Sequence, residues 1–559
     1  MRAYIRGLLT LGLATATTAC LDLDVVNENE PDNDKALESP ANVETIMGVS
    51  TFRQWYNVLH GLANVTIPFG AIGDENTNTS VQRGVHWSQE PPVAFNNDEL
   101  AEQVWVPRHP YDNFSECIAN INDTMARINA GMRIETQDPG ETGRSDHTDR
   151  AVAWGKLWQG VCIGYLANTL DRFPLATEDT VLPQTVAGLA AWERQRLAQA
   201  EQWKDALQVA IETIEFAIER ATNGAQWVTP DAWVPGRQYD NAQVIQLAHT
   251  LIARLMIYSA RYPEDRQALD WDRILFHTER GLTYDFGPVL ANGVITDESY
   301  LLRLLSTTSS TRFRTDYRLI GPADQSGAYQ AWVAKNPRTS AEPFLIVTSD
   351  RRITGATAAG VPSGTLDGSY YRYFSNTGGM DPTRGTQHFS NYAWWRRNNP
   401  VNGSLTHLVG HYPLVTADEN RLYRAEAMLR LNRLDEAAAL INVTRTRNQR
   451  YKTGTSATAF VTSVGNLPLV TAAGVPEVNG QCVPRKASGA CGDLWDALMY
   501  ERGIELHGID PTRAWMDRRG FGQLQPGTWV QLPVPARYLT TLGVPRYTFG
   551  GVGGPGAAR

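Results

Sequence analysis

The chain has 559 residues, 42% hydrophobic and 20% charged, which is the balance of a folded protein and excludes wholesale disorder. A net charge of −8 leaves no basic surplus for gripping nucleic-acid phosphates. Beyond residue 20 no apolar run reaches the ~20 residues that a membrane-crossing helix needs. The 16 Trp, 21 Tyr and 15 Phe are a rich supply of rings. Some must build a core, and a surplus suits a site that stacks flat apolar faces such as sugar rings.

Residues 1–19 have the layout of a signal peptide: Arg2 and Arg6, then Leu8, Leu9, Leu11 and Leu13, then small residues. The run ends at Ala19-Cys20 and resembles a bacterial lipobox, with Thr17 in place of the usual Leu. This predicts lipidation of Cys20, and two or three acyl chains anchor a protein firmly at ~0.8 kcal/mol per buried CH₂. Residues 20–40 then read as the lipidated Cys and an acidic, polar tether, and residues 41–559 as the body.

The body reads as helices. After a polar, loop-like stretch over Thr66–Pro107, helices are expected over Tyr111–Ala130 and Ala151–Leu170, the second carrying Gly155, Gly160 and Gly164 for close approach of a neighbour. In Glu201–Thr222, Trp203, Leu207, Ala210, Ile211, Ile214, Ala217 and Ile218 fall on one helical face, ended by Asn223-Gly224. Asn241–Arg261 repeats the pattern, stopped by Pro263. Gly281–Pro413 breaks it with Gly-Ser-Thr runs and dense aromatics, a loop-rich insertion of the kind that carries function. Thr416 and Glu419 are spaced as a capping box opening Asp418–Leu431, and a turn at Asn432-Arg433 leads to Asp435–Asn448. Small residues at that crossing (Ala425, Ala427, Ala437, Ala438) resemble tetratricopeptide packing. The fold class is therefore mainly α, tetratricopeptide-like helical hairpins with a long aromatic-rich insertion at 281–413. Cys482 and Cys491 are expected to close a small disulfide loop, while Cys117 and Cys162, both on helices, fit either a second bridge or core thiols. No Cys/His cluster has zinc spacing, so no metal or other cofactor is expected.

Leu494–Gly520 (LWDALMYERGIELHGIDPTRAWMDRRG) resembles the signature of the SusD/RagB family, a helix with E-R-x-x-E-L leading through a Gly turn into R-x-W-D-L-x-R. Glu501, Arg502, Glu505, Leu506, Gly508, Arg513, Trp515, Asp517 and Arg519 hold the matching places; Asp510-Pro511 in the turn and Met516 before Asp517 depart from it. Leu532–Leu539 resembles the family's closing P-I-P segment, Tyr423–Arg447 its last hairpin and Gly155–Ala176 an early one. The resemblance implies a non-enzymatic, lipid-anchored protein on the outer membrane's surface. Such a protein captures an oligosaccharide, or sometimes a peptide, and passes it to a SusC-like TonB-dependent transporter. Residues 41–559 would form a single SusD-like domain.

Glu501 and Glu505 share one helical face. With Arg502, Arg513, Arg518 and Arg519 close in sequence, they read as a structural ion-pair network rather than as a glycosidase's acid and base, which need an open cleft between them. For ligand binding the candidates are Asp74, Asn76, Trp87 and Asn96 in the first polar stretch, and Tyr300, Trp332, Tyr371, Tyr373, Trp394 and Trp395 as stacking platforms in the insertion. Asp74, Glu75 and Asp98 are also the oxygen ligands a hard cation would need. Two alternatives remain at this point: a helical glycoside hydrolase or lyase, for which Asp74, Glu75 and Asp381 are the only loop carboxylates of note, and a repeat scaffold that binds only protein.

Overall fold

The computed structural model describes residues 33–60, 66–78, 92–101, 105–199, 202–290, 313–335, 344–354, 368–373, 390–394, 396, 410–447, 449–452, 460–463 and 467–559. The expectations for Cys20, Trp87, Tyr300, Asp381 and Trp395 lie outside the described residues. None of the described helices is long and apolar enough to cross a membrane.

The principal helices are α1 (Thr51–Leu59), α2 (Thr66–Ile72), α3 (Trp105–Asn129), α4 (Thr148–Thr169), α5 (Gln202–Asn223), α6 (Asn241–Tyr258), α7 (Trp271–Glu279), α8 (Ala417–Arg430), α9 (Leu434–Arg445), α10 (Leu494–Leu506) and α11 (Pro511–Phe521). They form antiparallel hairpins: α3 lies against α4, α5 against α4 and α6, and α8 against α9. The start of α6 is set by Asp240, which accepts from the Gln243 amide in a reciprocal capping box. Thr416 caps α8 through the Glu419 amide, as its spacing predicts, but the Glu419 side chain turns inward to Arg254 instead of completing the box. Asn432 takes a left-handed φ of 59° in the α8–α9 turn. Helix α6 stops at Tyr258, three residues short of expectation, because Pro263 opens a short helix of its own at the N-terminal position where its missing N–H costs nothing.

Helix α4 is the hub. Every residue but Asp149 is buried, so it is enclosed on all sides. Its three glycines serve three different neighbours: a Cβ on Gly155 would meet Ile121 of α3, one on Gly160 the Ala210 carbonyl of α5, and one on Gly164 Leu255 of α6. Trp154 and Trp158 of α4 join Phe52 and Trp55 of α1, Trp233 and Phe286 in one aromatic cluster, with Trp55 and Trp158 centroids 4.9 Å apart. Much of the tryptophan is thus core. Cys117 and Cys162 are bonded, tying α3 to α4 with Cα atoms 6.6 Å apart; Cys482 and Cys491 are bonded with Cα atoms 5.5 Å apart.

Strands among the described residues form only two-stranded antiparallel pairs. Two of these matter for function. β1 (Asn76–Asn78) pairs with β2 (Phe313–Thr315), and β3 (Tyr371–Tyr373) with β4 (Tyr392–Trp394). β2 lies beside β4, and the Ser390 hydroxyl donates to the Thr315 carbonyl. The two stretches that break the helical pattern in sequence are therefore stitched together, and both dock on α10 and α11.

Candidate functional site

Asp493 caps α10 and Asp510 caps α11, with Pro511 at the first helical position. The α10 face bearing Glu501 and Glu505 is wholly buried. Arg352 of the insertion sits between the two carboxylates, bonding Glu501 at 2.7 and 2.9 Å and Glu505 at 2.9 Å, and it also holds Asp350 at 2.8 Å. Glu505 takes Arg396 at 3.1 Å and the Tyr370 hydroxyl at 2.9 Å; Glu501 takes Arg445 at 3.3 Å and Thr444 at 2.8 Å. Arg502, adjacent to Glu501, bridges Glu426 of α8 and Asp517 of α11 (2.6 Å to Asp517), where Arg266 joins them. Burial opposes ionisation of Glu426, yet Arg266 and Arg502 overcome it and hold the carboxyl down to about 2.

Arg519 pairs with no carboxylate among the described residues. Its guanidinium donates to the carbonyls of Asn168 (2.8 Å), Tyr258, Ala260 (3.1 Å) and Val530 (2.7 Å). Asn168 and Tyr258 stand at the C-termini of α4 and α6, where unpaired carbonyls and the negative dipole end favour a cation. Trp515 is fully buried and donates to the Trp529 carbonyl. The signature residues thus fasten the hairpins to one another and to the insertion.

At the outer edge of this lattice opens a cleft of about 360 Å³. One wall is Tyr500, Arg518 and Phe521 of α10 and α11. The other is Arg318 and Tyr329 of the insertion with Lys486 of the disulfide loop, and Glu75 and Arg513 line it as well. Asp74, in a left-handed conformation with φ 52°, clamps the walls by accepting from Arg318 at 2.9 Å and Arg518 at 3.4 Å. Carboxylates thereby fix the guanidiniums without reorganisation cost on binding. Burial pushes Glu75 up to about 7 in spite of its bond to Arg513. Arg513 also reaches Asp517 at 3.5 Å and so bridges the Glu75 and Asp517 carboxylates. No serine, cysteine or histidine lines the cleft among the described residues. The cleft offers guanidinium, ammonium and tyrosine donors together with carboxylate acceptors at Glu75, Asp496 and Asp517.

The structure brings several of the expected ligand residues together, but not as an open site. Asn76 lies 3.1 Å from His507 Nε2, Tyr371 Oη 3.1 Å from His507 Nδ1, and the Trp394 ring 5.7 Å from the imidazole. Tyr371 and Trp394 are register partners in the β3–β4 pair. Their exposures are 6% for Asn76, 0% for Tyr371 and 1% for Trp394, so this is a buried cluster and its rings are not open platforms. Trp332 is likewise a core ring, 4% exposed and 5.6 Å from Tyr317. Strand pairing turns Tyr371 and Trp394 inward at the junction of insertion and helices, while Trp332, on the short helix Ala328–Val333, packs on Tyr317 and Tyr329. Tyr373 is half-buried against Tyr392, and Asn96 is exposed, its side chain accepting from the Asp98 amide. Asp74 backs the cleft rather than lining it. The oxygen set weighed for a hard cation is not formed: Asp74 and Glu75 face Arg318, Arg518 and Arg513, and Asp98 lies at the surface beside Arg546. Arg318, Arg518 and Tyr329 were not singled out from sequence as ligand groups. The one available signal was that Arg518 lies within the signature at a position whose residue type the pattern leaves open.

No family model matches the chain, and no curated protein matches it. Solved structures do. A SusD-like carbohydrate-binding protein from Bacteroides vulgatus ATCC 8482 aligns at 13% identity and TM-score 0.49, over 87% of this chain and 84% of its own. A SusD superfamily protein from Bacteroides thetaiotaomicron VPI-5482 aligns at 13% and 0.48, over 91% and 96%. In plain terms, this chain is similar along most of its length to SusD superfamily structures, a further one from Bacteroides vulgatus ATCC 8482 aligning at 14% identity and TM-score 0.48 over 93% of this chain and 98% of its own.

Proposed function

We propose that this protein is a SusD-like capture protein: lipid-anchored at Cys20 on the outer membrane, it binds an extended nutrient, an oligosaccharide in the first instance, without altering it, and delivers it to a TonB-dependent transporter. The observation that carries the reading is the use made of the signature residues. Glu501 and Glu505 are consumed in joining α10 to the insertion, and Arg502, Asp517 and Arg519 in joining the helices to one another; beside them lies a cleft of guanidinium, ammonium and tyrosine groups interleaved with the carboxylates of Glu75, Asp496 and Asp517. Hydroxyl-rich ligands are held by such donors, with ring edges supplying apolar contact. A protein that must release its cargo should bind in the micromolar to millimolar range, about −4 to −8 kcal/mol.

The test is calorimetric titration of the mature protein with an oligosaccharide panel, alongside chromatography of the recovered sugars. Binding that weakens in Arg518→Ala and Lys486→Ala, with sugars returned at full length, supports the reading. Shortened or unsaturated products would replace it with the hydrolase or lyase alternative. Binding unaffected by both substitutions would remove the cleft from it.

A further inference from the structure

The chain between α3 and α4 doubles back on itself, with Glu135–Thr136 paired antiparallel to Ser145–Asp146. Inside the connection, Asp138-Pro139-Gly140-Glu141 makes a tight turn: Gly140 has φ 95°, and the Glu141 amide donates to the Asp138 carbonyl at 3.1 Å. Proline presets the second place of such a turn and glycine supplies the positive φ of the third. The turn sets the two acidic side chains next to each other, and the Asp138 amide donates to the Glu141 carboxylate at 2.8 Å. The returning strand carries His147 back beside them, its amide donating to the Ile134 carbonyl at 2.8 Å.

Asp138, Glu141 and His147 therefore converge, with one oxygen from each carboxylate and a ring nitrogen all within 4.8 Å of one another. The His147 side chain is only 10% exposed. Its Nε2 is buried and lies 3.4 Å from Glu141, out of line for a hydrogen bond, and it completes no other. The remaining partners of the carboxylates leave room for a ligated ion. Arg150 donates one N–H to each Asp138 oxygen, and Ser145 bonds Glu141, whereas an ionised carboxylate offers about four lone-pair sites. Outer bonds of this kind hold and orient the carboxylates of metal sites. Arg150 opposes a cation, as does Arg133 on Asp146, but the network holds four carboxylates, Glu44, Asp138, Glu141 and Asp146, against those two guanidiniums.

We propose that Asp138, Glu141 and His147 form a binding site for a first-row divalent cation, zinc in the first instance. One imidazole with two carboxylates is a zinc donor set, whereas calcium and magnesium favour oxygen ligands alone. Zinc ligands bound at about 2.0–2.2 Å stand roughly 3.3 Å apart. His147 and Glu141 already match that separation, and rotation of the partly exposed Asp138 and Glu141 side chains closes the rest. The ion pins the turn to the start of α4. The site shares no residue with the cleft and stands or falls without it. A lone histidine with two carboxylates inside ten residues has no Cys/His spacing, so only the turn and the strand pairing make it visible.

The experiment takes the mature protein without an affinity tag, strips it with EDTA, dialyses it and titrates it with zinc chloride by calorimetry. One equivalent should bind, and at zinc a hundredfold above the dissociation constant the melting temperature should rise by about 2–3 °C. His147→Gln and Glu141→Gln should each weaken binding by about tenfold or more, while the zinc-free variants melt within about 1 °C of wild type. Cobalt(II) should give a ligand-field absorption that His147→Gln abolishes. Absence of binding at about 100 µM zinc, or an isotherm untouched by both substitutions, would overturn the proposal. Calcium displacing zinc at equal concentration would overturn the assignment to a nitrogen-containing donor set.

Discussion

Replacing Glu501 by Gln is the sharpest probe of the signature's role, because size is kept and charge alone is removed. The two Glu501 oxygens accept from Arg352 at 2.7 and 2.9 Å, from Arg445 at 3.3 Å and from Thr444 at 2.8 Å, all in a fully buried setting. In the variant, one oxygen becomes an N–H₂ aimed at guanidinium donors. Arg352 retains Asp350 and Glu505, but Arg445 is left with only the carbonyls of Pro468 and Val483. Removing one partner of a buried pair costs about 3–5 kcal/mol. Unfolding entropy of about 2.1 cal/mol/K per residue over roughly 500 residues gives about 1 kcal/mol/K, so the melting temperature should fall by about 3–5 °C. Scanning calorimetry measures the shift, and titration well below the transition should return the wild-type ligand affinity. A shift of less than about 1 °C would refute the assignment of Glu501 to a fold-holding lattice. So would selective loss of a hydrolytic activity without loss of stability.

Three further outcomes are expected. His60 is buried against Tyr412 (3.2 Å), and burial, reinforced by Arg254 and opposed by Asp510, lowers its pKa to about 3, so it folds neutral. Its contribution is present above its unfolded value of about 6.5 and is lost as pH falls toward 3. Wild-type stability should drop by about 2 kcal/mol between pH 6.5 and 4.5 relative to His60→Gln in parallel urea titrations, and superimposable pH slopes would contradict this. Cys482→Ser should lower stability by ~2–3 kcal/mol, read from the urea midpoint, since the bridge closes a nine-residue separation; two alkylatable thiols at 482 and 491 in unreduced wild-type protein would show the bridge is not made. Cys20→Ser should move the protein from the membrane to the soluble fraction with loss of labelled lipid, and unchanged fractionation would dismiss the anchor.

The helical body was legible because its signals are local. The apolar spacing of Glu201–Thr222 survives as α5 to within one residue at each end, and Thr416 caps α8 through the residue its spacing named. The helical position of Glu501 and Glu505 was likewise enough to place both carboxylates on one face, and the surrounding arginines were enough to expect that face to be paired. Sequence could not say that the partners would be Arg352 and Arg396 of the insertion, more than a hundred residues away, because a guanidinium's partner depends on which segments dock.

The ligand-binding groups were the least legible part, for a physical reason. A Tyr or Trp contributes the same apolar area whether its face meets another ring or a sugar, so composition and spacing are blind to the choice. Tyr371 and Trp394 became core only because β3 and β4 pair in the register that sets them opposite each other beside His507. Asp74 became a clamp only because β1 pairs with β2 and brings Arg318 beside it, with Arg518 arriving from α11. Hairpins, caps and the charge pattern of the signature were thus written into the chain itself. Which rings face inward and which donors edge the cleft were decided by long-range pairing, where one register places a side chain in the core and its neighbour would leave it in water.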